Sequence, residues 1–95
     1  MTKAAILEYL RSHKEQFRQK YAVERIGLFG SYARDEATDQ SDIDLFVEMK
    51  PDLFSMVGLK REIEEALAHP VDIIRKHKHL KPLLYEMIEK DITYV

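Results

Sequence analysis

The chain has 95 residues, 45% apolar and 34% charged, which suits one domain able to bury roughly 60–70% of the surface its unfolded chain exposes. Its net charge of −2 argues against nonspecific nucleic-acid binding as the main task, and the lack of cysteine excludes a disulfide scaffold and thiolate chemistry. No apolar run approaches membrane-spanning length and no signal-peptide pattern precedes the first helical stretch, so the expected location is the cytoplasm, without membrane attachment.

Residues 3–20 are predicted to form an amphipathic helix. Leu7, Leu10, Lys14, Phe17 and Tyr21 recur at three- and four-residue spacing, Ile6 widens the stripe, and Thr2 is placed to cap it. Residues 24–30 follow as a first strand, with Ile26 and Leu28 on one face and Gly27 and Phe29 on the other. Gly30-Ser31 then marks a turn into a short helix reaching about Ala37. A glycine there lets the backbone approach a ligand, and the N–H groups that open the next helix point at anions. Ser31 either caps that helix or donates its hydroxyl to a phosphate oxygen. Arg34 projects from the same helix, where contact with a nucleotide competes with an ion pair to Asp35, Glu36 or Asp39.

Thr38 to Ser41 turn the chain into a second strand that opens Asp42-Ile43-Asp44. Side chains alternate along a strand, so Ile43, Leu45, Val47 and Met49 make one apolar face, while Asp42, Asp44, Phe46 and Glu48 make the other. Two carboxylates about 7 Å apart on one face repel by roughly 2 kcal/mol at an effective dielectric near 20. Water or a cation must sit between them, and hard oxygen ligands suit Mg²⁺ or Mn²⁺. The alternative is a solvated strand start, with Asp42 or Ser41 serving the turn.

Pro51-Asp52 stops this strand and caps a helix over 53–68, whose stripe runs through Met56, Leu59 or Lys60, Ile63, and Ala66 with Leu67. Gly58 weakens it by about 1 kcal/mol relative to Ala, and close packing is one reason to keep it. His69-Pro70 ends the helix. Val71 to Arg75 form a third strand with Val71 and Ile73 on one face and Asp72 on the other, where Asp72 is either a turn residue or a site carboxylate. Arg75 to Lys81 are the basic concentration of the chain: a solvated loop, or an attractor of a triphosphate or acidic partner. No aromatic residue interleaves it, which argues against a base-stacking platform, and His77-x-His79 has no nearby partner set for zinc. Pro82 opens a last helix with Leu84, Met87 and Ile88 as core, and Ile92 to Val95 close the chain as a short strand.

This order predicts an α/β fold: a small mixed sheet of about four strands with helices packed on one face. The short first connection favours an antiparallel pair, and the helical crossover from second to third strand favours a parallel one. The carboxylates then share the face that the helices leave open. Neither repeat, low-complexity tract nor linker divides residues 1–95, which are expected to form a single domain.

Gly30-Ser31, ten intervening residues and then Asp42-Ile43-Asp44 resemble the signature of the DNA polymerase β-type nucleotidyltransferase superfamily. Phe-Gly-Ser-Tyr-Ala-Arg (29–34) and Ser-Asp-Ile-Asp-Leu (41–45) resemble its smallest branch, the minimal nucleotidyltransferases (MNT proteins), often paired as antitoxins with HEPN-domain toxins. That branch usually has Gly after the Arg, where this chain has Asp35. The resemblance implies a palm-like core, and transfer of a nucleoside monophosphate (AMP from ATP foremost) to a hydroxyl, with pyrophosphate released. In that reading Asp42 and Asp44 bridge two Mg²⁺ ions, Asp72 is the third metal-binding carboxylate, and Gly30 and Ser31 hold the outgoing phosphates. The implied acceptor is a tyrosine of a HEPN toxin, in a homo- or hetero-oligomer; antibiotic and nucleic-acid acceptors are further options. A non-catalytic antitoxin that masks its partner and a nucleotide-binding structural subunit are the alternatives from other classes.

Overall fold

In the computed structural model, which describes residues 1–95, β2 (Ile43–Met49) lies inside a four-stranded sheet of order β3-β2-β1-β4. The other strands are β1 (Val23–Phe29), β3 (Val71–Arg75) and β4 (Thr93–Tyr94). β1 pairs antiparallel with β2 and with β4, and β3 runs parallel to β2, as the short first connection and the helical crossover require. The helices are α1 (Lys3–Tyr21), α2 (Gly30–Ala33), α3 (Leu53–Leu67) and α4 (Pro82–Asp91).

The alternation in β2 sorts its two faces. Ile43, Leu45 and Val47 are fully buried and join Ile26 and Leu28 of β1 against Ile6, Leu10 and Phe17 of α1 and Leu59 and Ile63 of α3. Thr2 caps α1 by accepting from the Ala5 N–H at 3.1 Å, and Asp52 caps α3 by accepting from the Ser55 N–H at 3.2 Å. The expected α1 stripe needs one correction: Lys14 is exposed. Ile6, Leu10, half-buried His13 and Phe17 trace the inward line instead, because 3.6 residues per turn carries position 14 past the core direction. Gly58 is explained by close packing, since a Cβ there would come within 2.9 Å of the Tyr21 ring.

α1 and α3 cover this face as expected, but the second face is not wholly open. Phe46 points to it and is completely buried, with the Tyr85 ring of α4 6.0 Å away. Gly27, in register with Phe46, has no room for a Cβ beneath Ile92 and Tyr94. α4 thus crosses the half of the second face that holds Phe46 and leaves the Asp44 end clear. Of its expected core residues, Ile88 is buried and Leu84 half-buried, whereas Met87 is 59% exposed. One narrow stripe of α4, through Tyr85 and Ile88, meets the sheet, and Met87 lies about 100° round the helix from Ile88.

Candidate active site

β1 runs extended to Phe29, and the chain then turns at Gly30 with φ +76° into α2. Two independent constraints require glycine here. The left-handed backbone disfavours any L side chain, and a Cβ would collide with the carboxylate of Asp44. The glycine turn and the acidic strand therefore approach each other closely at this one residue. α2 is shorter than expected, ending at Ala33 instead of about Ala37. Asp35 stops it by adopting φ 58°, at the position where the MNT pattern has glycine; Asp is among the L residues that tolerate this region best. Ser31 does not cap α2: the capping position is Phe29 and no side chain caps it. Ser31 is half-buried at the first turn.

Asp44 sits directly beside Asp72 in the parallel pairing of β2 with β3, and opposite Phe29 in the antiparallel pairing with β1. Adjacent strands lie about 4.8 Å apart, so Asp44 and Asp72, which are 28 positions apart in the chain, are brought side by side. Asp42 lies one residue before β2 begins, exposed at the end of the turn instead of inside the strand. Its charge still reaches Asp44. Burial raises the pKa of Asp44, and the carboxylates of Asp72 and then Asp42 raise it further, against an opposing pull from Arg34. None of the three carboxylates is in an ion pair. With the side chains as they stand, no three acidic or histidine groups converge as metal ligands. The donor set nevertheless fits a hard divalent cation, since all its oxygens are carboxylate and the strand register sets two of the groups side by side.

Arg34 was a candidate for nucleotide contact or an ion pair, and the structure gives it two ion pairs. It reaches Asp91 of α4 at 2.8 Å and Glu36 at 3.3 Å, and these hydrogen bonds, Asp91's first, raise its pKa. The Asp91 bond ties α2 to α4 across 57 positions of sequence, beyond the reach of any local pattern. The basic segment lies away from the carboxylates. It leaves β3 beside Val47, three residues or about 10 Å beyond Asp72 along the strand. There Lys76, His77, Leu80, Pro82 and Tyr85 line a surface hollow of about 320 Å³. The aromatic residue missing from the segment itself is supplied by α4, with the Lys76 ammonium 5.6 Å from the Tyr85 ring. His77 Nδ1 accepts from the His79 N–H at 3.1 Å, so this pair is spent on its own turn.

His69 appeared in the sequence only as the end of α3. Its Nε2 lies 2.6 Å from the Ser41 carbonyl oxygen and 3.2 Å from the Tyr32 hydroxyl. Next to it, Pro70 accepts from the Ile43 N–H at 3.0 Å. No local signal reveals these bonds, because they join segments 27 positions or more apart.

The nucleotidyltransferase domain family matches residues 10–95. A chain of Methanocaldococcus jannaschii provisionally named a protein adenylyltransferase is 38% identical over 99% of this chain and 98% of its own length. The protein adenylyltransferase MntA of Thermococcus cleftensis is 33% identical over 100% and 97%. Among solved structures, one provisionally described as a minimal nucleotidyltransferase superposes with a TM-score of 0.70 at 34% identity, covering 92% of this chain and 93% of that one. The complex of tri-AMPylated Shewanella oneidensis HEPN toxin with MNT antitoxin contains a chain of the same fold, with a TM-score of 0.68 at 19% identity over 98% and 71%. The glycine turn seated on a strand carboxylate, and the carboxylate beside it on the next strand, thus belong to a minimal member of the nucleotidyltransferase domain family.

Proposed function

We propose that this enzyme transfers AMP from ATP to a hydroxyl on a partner protein, that the partner is a toxin of the HEPN kind, and that the chain acts as its antitoxin. The observation that carries this reading is the contact of Gly30 with Asp44 while Asp72 stands in register beside it. Backbone without a side chain meets carboxylates that no ion pair neutralises, which is an arrangement suited to a metal-bound triphosphate. The naming of the relatives and the AMPylated toxin in the Shewanella complex support the choice of AMP and of acceptor.

Asp42, Asp44 and Asp72 are the residues that would hold Mg²⁺, which when bound supplies charge neutralisation on the phosphates and acidifies the acceptor hydroxyl. Gly30 and the backbone opening α2 receive the outgoing phosphates, with the Ser31 hydroxyl in reach of the same first turn. The acceptor oxygen forms a bond to the α-phosphorus as the bond to the bridging oxygen breaks, and pyrophosphate leaves. Asp72, exposed on β3, orients the hydroxyl and takes its proton. Positioning and electrostatics supply the rate enhancement, with no covalent enzyme intermediate.

The test is mass spectrometry of the cognate partner after incubation with ATP, Mg²⁺ and this protein. Addition of AMP to the partner is expected with the wild type and is lost with Asp44→Asn. A masking antitoxin is the second reading, favoured by Leu53 and Phe54, which are 72% and 89% exposed on α3. A partner that is fully inhibited yet unmodified overturns the transferase reading in favour of masking.

A further inference from the structure

We propose that His69 is a positioning residue: its imidazole holds the turn carrying Asp42 against the start of β3, and so sets where Asp42 stands relative to Asp44 and Asp72. A carbonyl oxygen can only accept, so the 2.6 Å contact with Ser41 assigns the ring proton to Nε2. The Tyr32 hydroxyl approaches the same nitrogen at 3.2 Å, and its ring meets the imidazole edge-on at 90°. Tyr32 belongs to α2, the helix opened by Gly30. One imidazole thereby joins the cradle helix, the Asp42 turn and the segment leading into β3.

The grip on Asp42 is two-sided. On its N-terminal side, the Ser41 carbonyl accepts from His69. On its C-terminal side, the Ile43 N–H donates to Pro70. Adjacent residues at the end of α3 therefore hold both neighbours of Asp42, and the Glu64 carboxylate fixes the other end of the same linker by accepting from the Val71 N–H at 3.0 Å. The second bond is backbone to backbone and survives any side-chain change. The first depends on the His69 ring alone. Within the turn, Ser41 is held further by the Thr38 N–H, which donates to its hydroxyl at 3.0 Å. A turn so short transmits a loss at Ser41 directly to Asp42.

This inference rests on the reading of Asp42 as an ion-holding carboxylate, and the experiment separates the two. Nitrogen-15 NMR of the metal-free wild type should show the Nε2–H tautomer of His69, with a slowly exchanging ring proton. In His69→Leu, amide exchange over residues 38–43 should rise about tenfold beyond any change in β1, and Mn²⁺ affinity measured by electron paramagnetic resonance should fall about 10- to 100-fold, as for other residues that orient ligands. His69→Gln, whose amide N–H can reach Ser41, should restore most of both. A proton on Nδ1 in the wild type, or exchange over 38–43 unchanged by His69→Leu, overturns the proposal. Wild-type protein that binds no Mn²⁺ overturns the metal reading of the carboxylates and leaves exchange and tautomer to decide the role of His69.

Discussion

Asp44 carries opposed demands. Burial and the charges of Asp72 and Asp42 hold its pKa above the ordinary carboxylate value of 3.8, so the folded state binds its proton more tightly than the unfolded chain does. The contribution of Asp44 to stability is thus greatest in acid and is lost as pH rises from that ordinary value through the raised one, staying lost at neutral pH. Asp44→Asn should therefore raise the melting temperature of metal-free protein at pH 7, by a few degrees on a scale of about 4–8 °C per kcal/mol. The gain should vanish below pH 3.8, and melting curves in EDTA across the acid range check both points. An unchanged or lower melting temperature at pH 7 would show that the carboxylates do not strain one another. Gly30 answers a different question. Gly30→Val places a branched side chain at φ +76° and drives it into Asp44, so nucleotide binding should be abolished, with about 1–2 kcal/mol lost to the backbone conformation alone. Calorimetry that finds normal ATP affinity in a cooperatively folded variant would place the cradle elsewhere.

At the scale of elements, what the sequence revealed depends on how far apart the cooperating residues lie. Thr2 and Asp52 are readable as caps because a cap and the N–H that donates to it are three positions apart, and the core face of β2 is readable because period-two alternation is local. Asp44 and Asp72 could each be picked out, Asp72 chiefly through the family resemblance, but their lateral register is a property of the assembled sheet. Phe46 shows the limit most clearly. Its place beside Asp44 suggested an open face, yet its burial depends on Tyr85, 39 positions away. Arg34 repeats the lesson through Asp91, and His69 through Ser41. The Arg34–Asp91 pair also invites a measurement, since an exposed ion pair contributes only about 0–1 kcal/mol while Arg34 lies close enough to pull against Asp44's raised pKa. Arg34→Ala should cost less than about 1 kcal/mol of stability but weaken ATP binding. Asp91→Asn should cost as little and leave ATP binding intact or improved, because it frees the guanidinium. Equal losses of ATP affinity in the two variants would mean that Arg34 acts only by fastening α2 to α4.

For the whole molecule, what matters is where an acceptor can approach. α1 and α3 cover one face of the sheet, α4 covers the Phe46 half of the other, and β4 borders β1, so the clear approach to the carboxylates is from the β3 side. There a hollow of about 210 Å³ is lined by Leu53, Met56, Val57 and Lys60 of α3 and by Asp72 and Ile73 of β3. Of its lining residues Leu53 is 72% and Val57 50% exposed, and Phe54, next to Leu53 in the chain, is 89% exposed, although Leu59 and Ile63 of the same helix are fully buried. An apolar edge on a helix whose core stripe is already satisfied contributes nothing to folding, and contiguous exposed apolar surface is a feature of interaction sites. If the partner rests on this edge while its hydroxyl reaches Asp72, Phe54→Asp should lower the rate of partner modification at least tenfold at limiting partner. Saturating partner should recover much of the loss, as expected when binding rather than chemistry is weakened. ATP affinity should not move, and stability should stay within about 0.5 kcal/mol of wild type, as for surface substitutions generally. The measurement is initial modification rate against partner concentration, followed by intact mass. Wild-type kinetics from Phe54→Asp would rule out this edge as the docking surface and direct the search to the exposed Leu83 and Met87 of α4.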